Sequence, residues 1–136
     1  MKLKAVLLAA LSFVLVACSS PDFSTAEAKV SDLHQALDSE QYDSIYQDGS
    51  TELKSAISQA DFVRFLTVVH KKLGLVQSSA NTFKGFSVTT KGTFLSLNYK
   101  TVFARGDAQE QFVYVMRDHQ ILLAGYHVNS MALIEN

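Results

Sequence analysis

The sequence predicts an α+β fold in which three N-terminal helices pack on a four-stranded antiparallel meander. Three features carry that expectation. Apolar residues recur with a period near 3.6 between residues 24 and 73, and with a period of 2 from residue 76 onward. The alternating half is cut by three short pairs, Lys91-Gly92, Gly106-Asp107 and Asp118-His119, each suited to a two-residue hairpin loop. Helices followed by strands, rather than alternating with them, indicate an antiparallel sheet with the helices gathered on one side.

Taking the elements in order, Ser24-Thr25-Ala26-Glu27 has the pattern of a capping box. Ala26, Val30, Leu33 and Leu37 follow as the inward stripe of a first helix, with Lys29, Asp32 and Gln35 facing water. A short second helix is expected over residues 40–47, stopping at Asp48-Gly49. A turn or half-helix near residues 52–57 leads to Ser58, a good cap with Asp61 three residues on. The third helix, residues 59–73, carries Phe62, Phe65, Leu66, Val69 and Leu73 on one face and ends at Gly74. Lys71 and Lys72 near its C-terminus suit the helix dipole without any ligand.

Strands are expected near 76–90, 93–105, 108–117 and 120–129. If each polar pair is the whole of its loop, Thr90 lies opposite Thr93, Arg105 opposite Ala108 and Arg117 opposite Gln120. Residues in direct opposition share a face. One face then gathers Phe86, Val88, Leu95, Leu97, Tyr99, Phe103, Phe112, Tyr114, Met116, Ile121 and Leu123. The other gathers Ser87, Thr89, Ser96, Asn98, Lys100, Gln111, Arg117 and Gln120. A slip of one residue at any loop would destroy the separation, so the agreement of all three supports the meander.

The first twenty residues have a different character. Met1–Lys4 brings two positive charges, and thirteen uncharged residues follow up to Ala17. Thirteen helical residues rise about 20 Å, short of the roughly 30 Å of a bilayer core, which describes a signal peptide rather than a spanning helix. Cys18, the one cysteine of the 136 residues, ends this run. Leu15-Val16-Ala17-Cys18 resembles the lipobox of bacterial lipoproteins, with Val in place of the commoner Ala or Ser. The resemblance implies a signal peptide over 1–17, lipidation of Cys18, a tether over 18–23 and a single domain over 24–136. With its sulfur taken by lipid, the cysteine needs no thiol partner, and three acyl chains anchor durably where one does not. Ser19 and Ser20 stand where an aspartate would resemble an inner-membrane retention signal, which implies the periplasmic face of an outer membrane. Residues 19–23 span at most about 18 Å, so the domain is held close to the bilayer.

Without Lys2 and Lys4 the chain keeps ten basic and thirteen acidic residues, a balance that offers no footprint for nucleic acid. No metal motif, phosphate loop, nucleophile elbow or nucleotide fingerprint is present, so neither a metal nor a cofactor is expected. His34 and His70 fall on helix flanks and read as solvated.

Three stretches carry a wider resemblance: "ALDSEQYDSIYQ", "LKSAISQADFVRFLTVVHKKLG" and "YVMRDHQILLAGYHVNS". They resemble a family of bacterial envelope proteins with the cone-shaped nuclear-transport-factor-2-like (cystatin-like) fold. Gly125-Tyr126 stands where such relatives end their last hairpin, whereas His119 and Ile121 replace their usual Gly and Trp. Several enzymes of that fold perform proton transfer with a carboxylate and an imidazole at the wide end of the cone. The expected register places Glu110 opposite His127, beside Phe103, as the candidate pair for an isomerase or dehydratase. The plainer reading of that pair is an ion pair at the end of a sheet.

The outer face is the second candidate surface. It would hold Val102, Val113, Val115, Leu122, Ala124, Tyr126 and Val128, more apolar than a face left in water. The resemblance implies a homodimer there, unless residues 131–134 fold back over it. The sequence therefore points to a lipid-anchored, non-enzymatic module that contacts an envelope partner, a second copy or a small apolar ligand. An enclosed pocket reaching Tyr99, Tyr114 and His127 would mark the ligand or enzyme readings.

Overall fold

A computed structural model describes residues 20–135. The expectations for residues 1–17 and for Cys18 lie outside the described residues. The elements run α1 (Phe23–Asp38), α2 (Tyr42–Gln47), α3 (Thr51–Ala56), α4 (Gln59–Leu73), β1 (Val76–Thr89), β2 (Gly92–Phe103), β3 (Gly106–Arg117), β4 (Gln120–Asn129) and α5 (Met131–Ile134). The four strands form one antiparallel meander in sequence order, and the helices pack on one of its faces. This is the α+β architecture expected, with the half-helix realised as α3.

Each helix begins where the chemistry of its first residues allows. α1 starts earlier than the Ser24 capping box implies. Asp22 is its cap, with Oδ1 accepting from the Thr25 backbone N–H at 3.0 Å. The break between α1 and α2 turns on Glu40, which takes a left-handed conformation (φ 57°) and delays α2 to Tyr42. Ser50 caps α3 and Ser58 caps α4, the latter accepting from Asp61 N–H at 3.2 Å. Gly74 closes α4 at φ 78°, a conformation that any side chain would strain.

The core is built from Ala26, Val30, Leu33 and Leu37 of α1, Phe62, Leu66, Val69 and Leu73 of α4, and the inner face of β2–β4. Leu37, Leu66, Leu73, Leu95, Leu97 and Phe112 are fully buried. Phe65 is only half-buried, at the margin of this core. Among the described residues, the core and the side chains packed on it run from Phe23 to Leu133. α5 joins that same interior: Ala132 and Leu133 pack beside it, and Lys72 Nζ donates to the carbonyl oxygens of Leu133 (3.1 Å) and Glu135 (2.9 Å). Residues 131–134 therefore do not cover the outer sheet face.

The meander keeps the expected faces although two loops are displaced. The first turn is Thr90-Lys91, pairing Thr89 with Gly92, and the second is Ala104-Arg105, pairing Phe103 with Gly106. Both displacements move the register by an even number of residues, which leaves every side chain on its predicted side. The third turn, Asp118-His119, is as expected, with both residues at positive φ (52° and 61°).

Beyond these turns, bulges change the outcome. In β4 the pairing runs Tyr114 with Leu123 and then Val113 with Gly125, so Ala124 is an extra residue. Past that point the strand is displaced by one, and its faces exchange. Tyr126 and Val128, expected outside, turn inward opposite Phe112 and Glu110. His127, expected inside, lies outward opposite Gln111. In β1 two further shifts, at Gln77 and Thr82, leave this edge strand almost wholly exposed. Phe86 and Val88 fall on the predicted side but, on the edge strand, are 58% and 73% exposed.

Candidate functional site

The bulge at Ala124 determines what surrounds Glu110. This residue lies on the inner face of β3, and none of its side-chain surface is exposed. Its predicted partner His127 is on the opposite face, exposed to solvent, so the Glu110–His127 pair does not form. Three other side chains converge on Glu110 instead. His34 of α1 places Nε2 2.8 Å from Oε1. Thr101 of β2, its neighbour across the sheet, also donates its hydroxyl to Oε1. Tyr126 of β4 donates its hydroxyl to Oε2. A carboxylate only accepts, so the His34 tautomer that fits carries its proton on Nε2.

Aromatic rings wall this cluster. Phe112 stacks on Tyr126 with centroids 5.0 Å apart, and meets the His34 ring edge-on at 5.7 Å. Phe103 approaches the other side of His34 at 6.5 Å, while Phe65 packs against Tyr126 at 5.9 Å. Burial pushes the Tyr126 phenol well above its ordinary pKa, and the neighbouring Glu110 carboxylate adds to the shift through charge and hydrogen bond. Tyr126 therefore remains a neutral donor. The arrangement ties one helix and two strands to a carboxylate on a third strand, with both oxygens occupied.

Sequence reasoning missed all three partners. His34 was read as solvated, yet it lies four residues after Val30, on the buried stripe of α1, and is 6% exposed. That spacing was a usable signal. Thr101 shares a strand face with Tyr99 and Phe103, which also marks it as inward. Tyr126 had no such signal, since only the bulge turns it in. His70 is likewise less open than expected, with 16% of its side chain exposed and Nε2 3.8 Å from Glu40.

A second locus lies farther along α1. A cavity of about 250 Å³ opens between α1, α2 and the β3–β4 hairpin, with Leu33, Ile45, Tyr114 and Leu123 among its walls. A larger groove of about 730 Å³ adjoins it toward Asp22 and the Asp118-His119 turn, and the two share Lys29 and Ile121. Of the three residues expected to line a pocket, Tyr114 does so here, while Tyr99 and His127 do not. Burial, and the charges around it, push the Tyr114 phenol far above its ordinary value. On the rim of the domain, Arg117 forms two hydrogen bonds to Glu52 (2.8 and 3.3 Å) and holds that carboxyl down at about 2. Among the described residues no group of three or more His, Cys, Asp or Glu could hold a metal ion, and no helix is long and apolar enough to cross a membrane.

The fold and site together define a helix-on-meander domain whose interior is pinned at a buried Glu–His–Tyr–Thr cluster. The chain belongs to the DUF4019 family of proteins of unknown function, whose profile matches residues 29–126, from the second turn of α1 to Tyr126. No curated protein matches it. Among solved structures, a 2.5 Å structure from Catenulispora acidiphila is similar, with 17% identity over 80% of this chain and 95% of that one. The TM-score is 0.44, a loose likeness, and the fold described above stands on this chain's own register and packing.

Proposed function

We propose that this protein is a lipid-anchored domain on the periplasmic face of a bacterial outer membrane, acting by binding rather than by catalysis. The observation that carries the second half of this reading is the state of Glu110. A general acid or base must meet its substrate, whereas this carboxylate has no exposed side-chain surface and its oxygens are taken by His34, Thr101 and Tyr126. A buried carboxylate so fully bonded fixes the relative placement of elements. The nuclear-transport-factor-2-like description belongs to this proposal too, supported by the order of helices and meander.

The anchor rests on Leu15-Val16-Ala17-Cys18 and on the nearness of Cys18 to α1, which begins five residues later. A domain so tethered works within reach of the bilayer. Its contact surface for a second copy or an envelope protein is the outer sheet face, where Phe94, Val102, Val113 and Leu122 keep part of their surface in solvent.

The test uses the full chain made in a two-membrane bacterium, with a photo-crosslinking residue at position 113. Intact mass should show a triacylated chain beginning at Cys18, and Cys18→Ser should abolish that species. Illumination should give one discrete crosslinked product, either twice the chain's mass or a complex with an envelope protein. An unmodified chain in the soluble fraction would overturn the anchor, and the absence of any discrete crosslink would overturn the contact surface.

A further inference from the structure

We propose that the end of the domain where α1 begins docks on the bilayer that holds Cys18, seating Phe86 and Val88 at the depth of the lipid headgroups. This deepens the lipid-anchored reading above and rests on it. The first observation is where the chain enters the domain. Asp38, at the end of α1, accepts from the Val76 backbone N–H at the start of β1, and Glu27, in the second turn of α1, pairs with Lys84 farther along the strand. Helix and strand therefore run antiparallel. From Lys84 to Thr89 the strand advances about 16 Å, whereas from Glu27 back to Phe23 the helix covers about 6 Å, so β1 outruns the start of α1. Asp22, the α1 cap, lines one groove with Asp118 and His119 of the β3–β4 turn. One end of the molecule thus gathers the entry of the chain, the Thr90-Lys91 turn and the Asp118-His119 turn. With residues 19–23 spanning at most about 18 Å, this end lies against any membrane that holds Cys18.

The second observation is what that overhang carries. Phe86 and Val88 share one face of β1 and stand mostly in solvent, Val88 being with Ile134 the most exposed large apolar side chain among the described residues. Apolar side chains two residues apart, at the end where the tether arrives, suit the boundary between headgroups and acyl chains, which removes them from water. The charges around them balance, with Lys29, Lys84 and Lys91 against Asp22, Glu27 and Asp118. Apolar insertion, rather than attraction to anionic lipid, therefore drives the contact. The outer edge of β1 sets its depth. The backbone groups there, unpaired among the described residues, need water or headgroups, and hydrocarbon would leave them unsatisfied. The contact is shallow.

The sequence contains no tryptophan, so a substituted one reports alone. The full chain carrying Phe86→Trp is made in a two-membrane bacterium, and its membrane form is reconstituted in vesicles of phosphatidylethanolamine and phosphatidylglycerol with brominated acyl chains. Bromine should remove most of the fluorescence at position 86, more when it sits near the headgroup end of the acyl chain than near the methyl end. Leu75→Trp is the control. Leu75 is 54% exposed beside the Ala104-Arg105 turn, at the opposite end and roughly 35 Å away along β1, and fluorescence there should be untouched. Adding Val88→Asp to Phe86→Trp should cut the quenching to the level of the control without moving the melting temperature, because Val88 is open to solvent. Salt raised from about 0.1 to about 1 M should leave the quenching in place. Intact mass of the same sample reads the anchor. An unacylated chain would overturn both readings, whereas an acylated chain with no quenching at position 86 would overturn this one alone. Equal quenching at both ends, or quenching that salt abolishes, would also overturn it. So would a blue shift at position 86 that bromine does not affect, the sign of a protein partner.

Discussion

Removing a single oxygen tests the cluster around Glu110. Tyr126→Phe deletes the hydroxyl that donates to Oε2 and keeps the ring that stacks on Phe112 and meets Phe65 edge-on. Because the ring stays, no cavity term enters, and the loss is that of one buried hydrogen bond to a charged group, about 1.5–3 kcal/mol. Glu110 then keeps His34 and Thr101 on Oε1 but loses its partner on Oε2. For a domain of this size that amounts to roughly 6–12 °C in melting temperature. Urea denaturation of residues 20–136 should show the midpoint falling with an unchanged slope. The same substitution made in a Glu110→Leu background should cost much less, since the acceptor is gone; the difference is the coupling energy of the pair. The alkaline limb gives a second readout. The folded Tyr126 pKa lies above its ordinary 10.0, so its stabilisation is complete below pH 10 and is lost as pH rises beyond it. Wild type should thus lose stability above pH 10 more steeply than Tyr126→Phe. A loss under about 0.5 kcal/mol with no coupling to Glu110 would refute the assignment of Tyr126 to this carboxylate.

Other substitutions probe separate parts of the fold. Glu52→Gln should flatten the acid limb of stability: the Arg117-held carboxyl of wild type stabilises fully above its ordinary 4.5, and that contribution fades as pH falls toward about 2. Melting curves of both proteins between pH 5 and 2 should therefore converge at the acid end. Leu97→Asp, at a fully buried position, loses about 1.5–3 kcal/mol of apolar burial and adds several for an unpaired carboxylate, which approaches the whole stability of such a domain. It should yield an unfolded chain by circular dichroism, whereas half-buried Phe65→Asp should retain a cooperative melt at lower temperature. Val115→Lys, on the outer face but 1% exposed between Phe94 and Leu122, should destabilise the fold; half-exposed Val113→Lys should leave the melt unchanged and lower self-association in sedimentation.

How much of this was legible in the sequence depends on parity. The inner faces of β2 and β3 were readable because displaced turns changed the register by even steps, which alternation cannot register as an error. The bulge at Ala124 is an odd step, and nothing in "LLAGYHVN" announces it beyond one small residue before a glycine. It alone converts the expected Glu110–His127 pair into the observed Glu110–Tyr126 contact. Val115 was placed on the correct face, as part of a contact surface, but is already buried within the domain. Phe94 and Leu122 pair with it on either side, an arrangement that no single strand displays. The helix stripes were legible because the period is local, and His34 was misjudged because residue type was weighed above position.

The outer edge of β1, unpaired among the described residues, has a bearing on how this chain avoids its own copies. Fourteen residues long and paired on one side by β2, it presents the kind of ladder along which chains add indefinitely. Two interruptions restrict that hazard. At Thr82 the spacing breaks, and Asn81 Nδ2 fills the gap by donating to the carbonyls of Phe83 (3.1 Å) and Asn98 (3.2 Å). The Phe83 ring then lies over Gly85, where even a methyl group would collide with it at 2.8 Å. Lys84, held by Glu27, adds a charge near the start of the remaining run. A strand arriving from another molecule would find its longest continuous stretch from Phe83 to Thr89, with a lysine and a shielded glycine inside it. Domains crowded together at high concentration thus have a brake on fibre growth written into the edge itself.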